Sequence, residues 1–472
     1  MSISREENKM DSILCLLLES WKNTEGNVNS TESIIDWIQE KNETTEVKIK
    51  EDSINDSTFW FYDDYNGEIL NRKRSFFSIK GIRLFENEKF VKEQPIIYQP
   101  EIGYLGIICK KIDGVLNFLM QAKIEPGNVN CVQISPTIQA TKSNFTRAHG
   151  GKLPLYFEYF ESSSKYKIIY DQIQSEQASR FYKKRNRNII IIVDEEIPIY
   201  DNFKWMTLGQ IKQLMKIDNI VNMDTRTVLS GIPYIMQPTS DAVLPNIKKL
   251  FTSEAFYNSI FEADCSQTIP RVYNAINNYK MFHDVMTVET PLNQLTDWVV
   301  DERGITCKNK ADFMVKYYDI SIEGREVQHW TQPLFKATGE ALFVLVVTEV
   351  DNMLKFVVSL KSEIGSFDKI ELGPSIQHEH TVTQAEFDVF ENMCYKKLDN
   401  PECIWNDVML SEEGGRFYHE QNRNVIMYIE YKELKDLPDN YFLMDFRSLN
   451  YLIQVNNCLN IQLRNLLSLL DI

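Results

Sequence analysis

The sequence predicts an α+β protein made of two tandem homologous domains. Residues 94–141 align with residues 332–379 over 48 positions without a gap, and eleven of these positions are identical. Within each copy, strand patterns come first and a helical pattern comes last. Copies of this size exceed the units of about 20–45 residues that build solenoids. We therefore expect two similar domains and not a repeat array.

The repeat continues on both sides of that segment. Trp60 and Asp63 recur as Trp298 and Asp301, and the run from Ser175 to Tyr182 recurs from Ser411 to Tyr418. These matches divide the chain into four parts: residues 1–57 as a helical and polar extension, 58–231 as the first repeat, 232–295 as a helical bridge, and 296–472 as the second repeat.

Local patterns predict the elements of the first copy in order. Leu105–Cys109 and Leu116–Ala122 read as two strands joined by a turn at Asp113-Gly114. Three further runs predict strands: Val129–Ile134, Tyr156–Phe160 and Asn188–Val193. Apolar residues at helical spacing behind Thr207 as N-cap predict one helix over Trp205–Leu229, which ends at Gly231.

Composition excludes several classes of protein. The chain has 472 residues, 43% of them hydrophobic, so it is not disordered throughout. Its net charge of −16 makes it a poor non-specific binder of nucleic acid or membrane surfaces. The eight cysteines include no C-x2-C pair, which favours reduced thiols. The longest apolar run near the start, Ile13–Leu18, is too short for a signal peptide or a membrane span, so we expect a cytoplasmic protein.

Motifs of the common cofactor classes are missing from the sequence. It contains no GxGxxG, no P-loop and no G-x-S-x-G elbow. His378 and His380 are the closest histidine pair, but a third ligand at metal-site spacing is lacking. We therefore expect no metal and no cofactor.

One segment of this acidic chain is locally basic. Residues 94–147 hold five Lys or Arg residues against three acidic ones, and Lys123 and Glu125 share a face of one strand. Hydroxyl groups, Lys142 and Arg147 suit phosphate oxygens. The alternative is a polar loop at the edge of a sheet. Paired glycines at 414–415 indicate close backbone approach to a ligand, or a simple turn.

Three long motifs resemble the NDP-hexose 2,3-dehydratases of deoxysugar pathways: QPIIYQPEIGYLG at 94–106, QAKIEPGNVNCVQISPTIQATKSNFTRAHGG at 121–151, and SEEGGRFY at 411–418. The resemblance implies two tandem Nudix-like domains in a homodimer. It implies dTDP-4-keto-6-deoxy-D-glucose as substrate and a 3,4-diketo-2,6-dideoxy sugar as product. The hydrolytic Nudix box is absent, because Arg325-Glu326 is not followed by its glutamate pair.

The resemblance also implies a nucleotide-sugar site in each half. The residues carried over to the first site are Trp60, Thr141, Lys142, Ser143, Asn144, Phe145 and Ser175, beside Arg147. Those carried over to the second site are Trp298, Lys361, Gln377, His378, Glu379, Glu412, Glu413, Gly414 and Gly415.

Dehydration next to a ketone needs a base, an acid and a donor for the enolate oxygen. The candidates are Lys123 as donor and His149 as acid or base, with Glu125 and Tyr182 as alternatives. We expect the first half to do the chemistry, because Ala385 replaces Arg147 in the second copy. Two other classes stay open: a degenerate Nudix hydrolase of nucleoside diphosphates, and a non-catalytic nucleotide-sugar-binding protein.

Overall fold

The structure is a computed structural model that describes residues 3–74, 76–146, 153–235, 244–323 and 327–472. Its helices are α1 Ile3–Lys22, α2 Thr31–Thr44, α3 Lys142–Phe145, α4 Phe157–Glu161, α5 Leu208–Leu214, α6 Met223–Ser230, α7 Leu244–Lys248, α8 Glu254–Phe261, α9 Thr268–Phe282, α10 Val389–Lys397, α11 Phe446–Leu452 and α12 Ile461–Ser468.

The strands of the first half are β1 Val47–Asp52, β2 Trp60–Asp63, β3 Glu68–Asn71, β4 Ser78–Glu86, β5 Lys89–Tyr98, β6 Gly103–Ile112, β7 Val115–Ile124, β8 Val132–Ser135, β9 Ile138–Ala140, β10 Lys167–Ser175, β11 Phe181–Tyr182, β12 Arg185–Ile192 and β13 Phe203–Thr207. Those of the second half are β14 Val285–Thr290, β15 Trp298–Asp301, β16 Gly304–Cys307, β17 Phe313–Ile322, β18 His329–Ala337, β19 Leu342–Val350, β20 Met353–Lys361, β21 Glu371–Gly373, β22 Ile376–His378, β23 Ile404–Ser411, β24 Gln421–Tyr428 and β25 Tyr441–Asp445.

Each half contains the same large mixed sheet. The strand order is β10-β12-β6-β7-β13 in the first half and β23-β24-β19-β20-β25 in the second. The pairs β12–β6 and β24–β19 are parallel, and the short strands β8, β9, β21 and β22 extend the sheets at equivalent places. The predicted α+β class and the two repeated halves are therefore confirmed.

The two smaller sheets exchange a strand between the halves. Strand β1 pairs antiparallel with β17 of the second half, from Val47↔Ile322 to Asp52↔Tyr317. Strand β14 pairs in the same way with β4 of the first half, from Val285↔Glu86 to Thr290↔Gly81. Each half thus completes the small sheet of the other.

The helices before these strands also correspond. Ser20 of α1 donates to the carbonyl of Leu116 and accepts from the backbone N–H of Leu208. Ser259 of α8 makes the same two bonds to Leu354 and Phe446. The structural equivalence of the halves therefore begins upstream of Trp60 and Trp298, while the division of the chain at residues 58 and 296 stays a prediction.

One buried core crosses the boundary between the halves. It contains Leu17 and Phe118 of the first half together with Phe356 and Leu466 of the second. Arg226 on α6 donates to the carbonyl of Ser411, and Arg464 on α12 donates to the carbonyl of Ser175. The two halves are therefore joined by apolar packing and by reciprocal buried hydrogen bonds.

Two of the predicted elements were wrong. Tyr156–Phe160 is not a strand: Phe157 and Phe160 are buried three residues apart on helix α4, after Tyr156 in the left-handed region at φ 63°. Trp205–Leu229 is not one helix, because Phe203–Thr207 pairs with β7 and a turn at Asn219 separates α5 from α6. Thr207 is confirmed as an N-cap, since its hydroxyl accepts from Gln210 N at 3.2 Å.

Candidate active site

A cavity of about 1080 Å³ opens on the first half, at the upper end of the volumes that hold small-molecule ligands. Its walls are the end of β7, the segment from Thr137 to Asn144, and Trp60 at the start of β2. The second half contributes Trp330–Gln332 and the loop that carries Glu413, Gly415 and Arg416. Both halves therefore form this single cavity.

A chain of polar contacts crosses the cavity floor. Lys123 Nζ lies 3.2 Å from Glu125 Oε1, so the two side chains predicted to share a strand face meet as an ion pair. Gln139 Nε2 donates to the same carboxylate oxygen at 3.1 Å, and Asn222 Nδ2 donates to Gln139 Oε1 at 3.3 Å. Asn222 is also the N-cap of α6, so the start of that helix fixes the carboxylate through Gln139.

Two further acidic side chains, Asp224 and Glu413, line the same cavity. Burial, followed by the charges of Glu413 and Glu176, holds the pKa of Asp224 well above its usual range. Burial likewise raises the pKa of Glu413 to about 7, with Arg416 opposing the shift and Glu125 adding to it. Carboxyl groups with raised pKa values retain their protons near neutral pH and can act as acids.

The loop that carries Glu413 is fixed by contacts with the first half. Gly127 N donates to the carbonyl of Gly414 at 2.7 Å, and His419 N donates to the carbonyl of Gly127 at 2.8 Å. A Cβ at Gly127 would lie 1.5 Å from the carbonyl oxygen of Phe417, so only glycine allows this approach. The Pro-Gly turn after β7 therefore clamps the second-half loop onto the first-half cavity.

Arg416 and Lys184 add buried positive charge to the cavity wall. The Arg416 guanidinium donates to Gln99 Oε1 at 3.0 Å and lies 4.5 Å from the ring centroid of Phe77. Lys184 Nζ donates to the carbonyl of Glu101 at 2.6 Å. These bonds hold both cations in place next to the acidic groups.

The structure gathers part of the predicted first site. Trp60, Thr141, Ser143, Asn144, Lys123 and Glu125 line the cavity. Lys142 is exposed on α3, and Phe145 stacks on Phe157 with ring centroids 5.4 Å apart. Ser175 is buried against the second half, where it donates to Glu371 Oε2 at 3.0 Å. Tyr182 stacks near Tyr98, outside the cavity wall. Arg147 and His149 lie outside the described residues.

The residues predicted for the second site separate into two groups. Glu413 and Gly415 line the first cavity and Gly414 binds Gly127, whereas Lys361, Gln377, His378 and Glu379 stay in the second half. There Gln377 Nε2 donates to Glu363 Oε1 at 3.1 Å, which repeats the Gln139–Glu125 contact. Trp298 is buried and donates to the carbonyl of Glu93, and Glu412 accepts from Asn422 Nδ2 at 2.8 Å.

In the second half, two of the predicted residues contact charged side chains. His378 Nε2 lies 3.1 Å from Glu391 Oε1, and Glu379 Oε2 accepts from Arg180 Nη2 at 3.2 Å. The described residues bring no three His, Cys, Asp or Glu side chains into a metal-binding group. No helix among them is both long and apolar enough to cross a bilayer.

Asp224 is an acidic cavity residue that the sequence reasoning missed. It lies two positions after Asn222, one of the residues that match between the copies. The repeat alignment places Gln462 opposite it, so a comparison of charged positions between the copies was the available signal.

Comparison with known proteins identifies the family. The family model described as NDP-hexose 2,3-dehydratase matches residues 31–232 and 270–470. The chain is 35% identical over 416 residues to the dTDP-4-dehydro-6-deoxy-alpha-D-glucopyranose 2,3-dehydratase of Saccharopolyspora spinosa, covering 87% of this chain and 85% of the relative. Proteins of the same name from Streptomyces violaceoruber and Amycolatopsis orientalis are 32% and 31% identical, covering 92% and 95% of this chain and 95% and 92% of the relatives. The chain therefore belongs to the NDP-hexose 2,3-dehydratase family.

Proposed function

We propose that this enzyme removes water across C2 and C3 of dTDP-4-keto-6-deoxy-D-glucose in deoxysugar biosynthesis. The product is the 3,4-diketo-2,6-dideoxy sugar nucleotide. The relatives are named for this reaction, and the chain covers most of their length. The observation that carries the proposal is the Lys123–Glu125 pair on the floor of a cavity large enough for a nucleotide sugar.

The substrate supplies its own electron sink, and the enzyme supplies the proton transfers. The C4 ketone acidifies the hydrogen on C3, so a carboxylate placed beside C3 can remove it. Glu125 is the base in this scheme, and Gln139 holds its carboxylate from the side. Lys123 stabilises the negative charge that develops on the C4 oxygen, as a fixed donor does in an oxyanion site.

The nucleotide lies toward the cavity mouth in this proposal. Trp60, Thr141, Ser143 and Asn144 line the cavity together with the cationic side chains of Lys41, Arg72 and Lys73. Lysine and arginine side chains bind diphosphate oxygens by charge-assisted hydrogen bonds. Lys142 follows Thr141 directly on the exposed side of α3 and completes the set of cations near the diphosphate.

The proposal also includes the domain type, the oligomeric state and the cellular location. We infer that each half is a Nudix-like domain without hydrolytic activity and that the protein is a cytoplasmic homodimer. The support is the mixed sheet in each half and the likeness of the three sequence motifs to the family.

The decisive experiment incubates the protein with dTDP-4-keto-6-deoxy-D-glucose and a 3-ketoreductase, and measures the product mass. Loss of one water followed by reduction is the expected result. Release of dTMP with magnesium would instead indicate a Nudix hydrolase. Binding of dTDP without any turnover would indicate a non-catalytic binding protein.

A further inference from the structure

At two matched positions around the cavity, an acidic residue corresponds to a neutral amide in the other copy. Asp224 of the first half corresponds to Gln462, at the offset that relates Asn222 to Asn460. Glu413 of the second-half loop corresponds to Gln177, at the offset that relates Ser411 to Ser175. Both acids line the first cavity, whereas both of their counterparts are neutral amides. At both positions, the first cavity therefore carries a side chain that can release a proton.

The two acids lie beside the Lys123–Glu125 pair. A Cβ at Gly415 would lie 2.9 Å from Glu413 Oε1 and 3.3 Å from Glu125 Oε1, so these two carboxyl groups face each other across a glycine. Asp224 stands in the first turn of α6, two residues after the Asn222 cap that contacts Gln139. Base and acids thus converge on one cavity from β7, α6 and the second-half loop.

The halves also hold this arrangement in a fixed position. Arg226, two residues after Asp224, donates through Nη2 to the carbonyl of Ser411 at 2.7 Å. Ser411 is the last residue of β23, immediately before the loop with Glu413. Helix α6, which carries Asp224, is therefore hydrogen-bonded to strand β23, which leads into the loop with Glu413.

We propose that Asp224 and Glu413 form the general-acid pair that protonates the C2 hydroxyl as it leaves, with Glu413 supplied by the opposite repeat. This inference rests on the proposed function and adds the acid that the Lys123–Glu125 pair lacks.

The proton transfers balance without a further reactant. Glu125 takes the proton from C3, the C3=C4 enolate forms, and the C2–O bond breaks as the acid pair gives its proton to the departing hydroxyl. The product of that step is the C2=C3 enol. Glu125 then returns its proton to C2, and the enol hydroxyl gives its proton to the acid pair as the C3 ketone forms. One water leaves, and each side chain regains its starting state.

The electrostatic surroundings favour protonated acids before the reaction. Lys123 and Arg416 are the facing cations, and Glu125 and Glu176 are the facing acids. Burial is the largest cause of the raised pKa of Asp224, and Glu413 is the neighbouring charge that adds most to it. Lys184, the other buried cation of the cavity wall, is attracted by the charges of Glu176 and Glu413.

The test compares Asp224→Asn and Glu413→Gln with Glu420→Gln. Glu420 is a buried acid outside the cavity wall whose pKa burial raises to about 8, so its replacement makes the same chemical change elsewhere. We expect Asp224→Asn and Glu413→Gln to slow water loss by about 100-fold or more, the scale of general-acid catalysis. Glu420→Gln is expected to retain turnover within about threefold of the wild type, because it does not reach the reaction.

Two further measurements separate acid catalysis from a general defect. In D2O, both acid variants should still exchange the C3 hydrogen of the dTDP-4-keto sugar, because Glu125 remains. An analogue with fluorine at C2 should lose fluoride at close to the wild-type rate, because fluoride leaves without a proton. Calorimetry with dTDP checks that the variants fold and bind.

The possible results distinguish failure of the proposed function from failure of the acid assignment. Wild-type protein that neither exchanges C3–H nor loses water overturns the proposed function itself. Active wild type together with acid variants that dehydrate the normal substrate within about threefold of its rate overturns the acid assignment alone. Acid variants that bind dTDP but lose C3 exchange and fluoride release also overturn it, because their defect then precedes protonation of the leaving group.

Discussion

At the scale of single residues, the ion pair of Lys123 with Glu125 is the feature that we propose the first half uses for chemistry. Lys123→Ala should abolish dehydration while dTDP still binds, because the donor for the enolate oxygen is lost. Lys361, its counterpart, is the matched control: Lys361→Ala should leave substantial turnover. Single-turnover assays of both variants show which half carries out the reaction. An inactive Lys361→Ala variant together with an active Lys123→Ala variant would assign the chemistry to the second half.

Gly415 offers a second test at this scale. A methyl group at this position would contact the carboxyl groups of Glu413 and Glu125 at 2.9 and 3.3 Å, and both side chains would have to turn away. We expect Gly415→Ala to lower kcat by about 10-fold or more with little change in unfolding temperature, since the ends of flexible side chains absorb the contact. The counterpart in the second half is Ser179, where Ser179→Ala should leave both quantities unchanged.

The sequence predicted part of the cavity lining, from strand alternation and from the family resemblance. Lys123 and Glu125 were found because strand alternation puts residues two apart on one face. The family resemblance assigns Glu413 and Gly415 to the second site, whereas both line the first cavity, because no local pattern shows which half a loop will cover. Asp224 was missed because a single acid in a helical pattern has the appearance of a surface residue.

At the scale of elements, the turn after β7 and the loop after β23 depend on each other. Gly127→Ala places a methyl group 1.5 Å from the carbonyl oxygen of Phe417, a backbone atom that cannot turn aside. We expect a loss of about 3 kcal/mol in the free energy of unfolding, together with lower activity, because the displaced loop carries Glu413. Urea denaturation and turnover measure both effects.

Gly114 in the β6–β7 turn provides the control for that substitution. A Cβ there meets no atom within 4 Å, although its φ of 88° disfavours other residues. Gly114→Ala should therefore cost about 1 kcal/mol and leave turnover intact. Equal losses of activity in the two variants would contradict a specific role of the Gly127 clamp.

The elements that sequence patterns predicted best are those with uninterrupted periodicity. The β6–β7 hairpin with its Asp113-Gly114 turn and the Thr207 cap were predicted because each rests on contacts within a few residues. The sequence predicts a strand where helix α4 lies, since two buried aromatic residues in five positions fit either period. The long-range exchange of β1 and β14 has no local signal, so the sequence alone did not indicate it.

At the scale of the whole molecule, buried acids make stability depend on pH. Burial raises the pKa of Glu363, Glu371 and Glu413 to about 7 and that of Glu420 to about 8. The folded protein therefore binds these protons more tightly than the unfolded chain does. The stability that this supplies is complete below the ordinary glutamate pKa of about 4.5, and it is lost as pH rises through about 7 to 8.

We expect a lower urea midpoint at about pH 8 than at about pH 5.5, with the same slope in both conditions. Glu420→Gln should reduce the difference between the two midpoints, because the amide no longer loses a proton. A midpoint that rises with pH over this range would contradict the assigned direction of these pKa shifts.

The exchange of β1 and β14 also imposes an order on synthesis. The edge of β4 from Gly81 to Glu86 receives its partner only when residues 285–290 leave the ribosome. At about 5–20 residues per second, the roughly 200 residues in between take about 10–40 s to translate. During that interval the growing chain carries an unpaired strand edge, the kind of surface on which neighbouring chains aggregate. The nascent chain is therefore expected to be most prone to aggregation before β14 has been made.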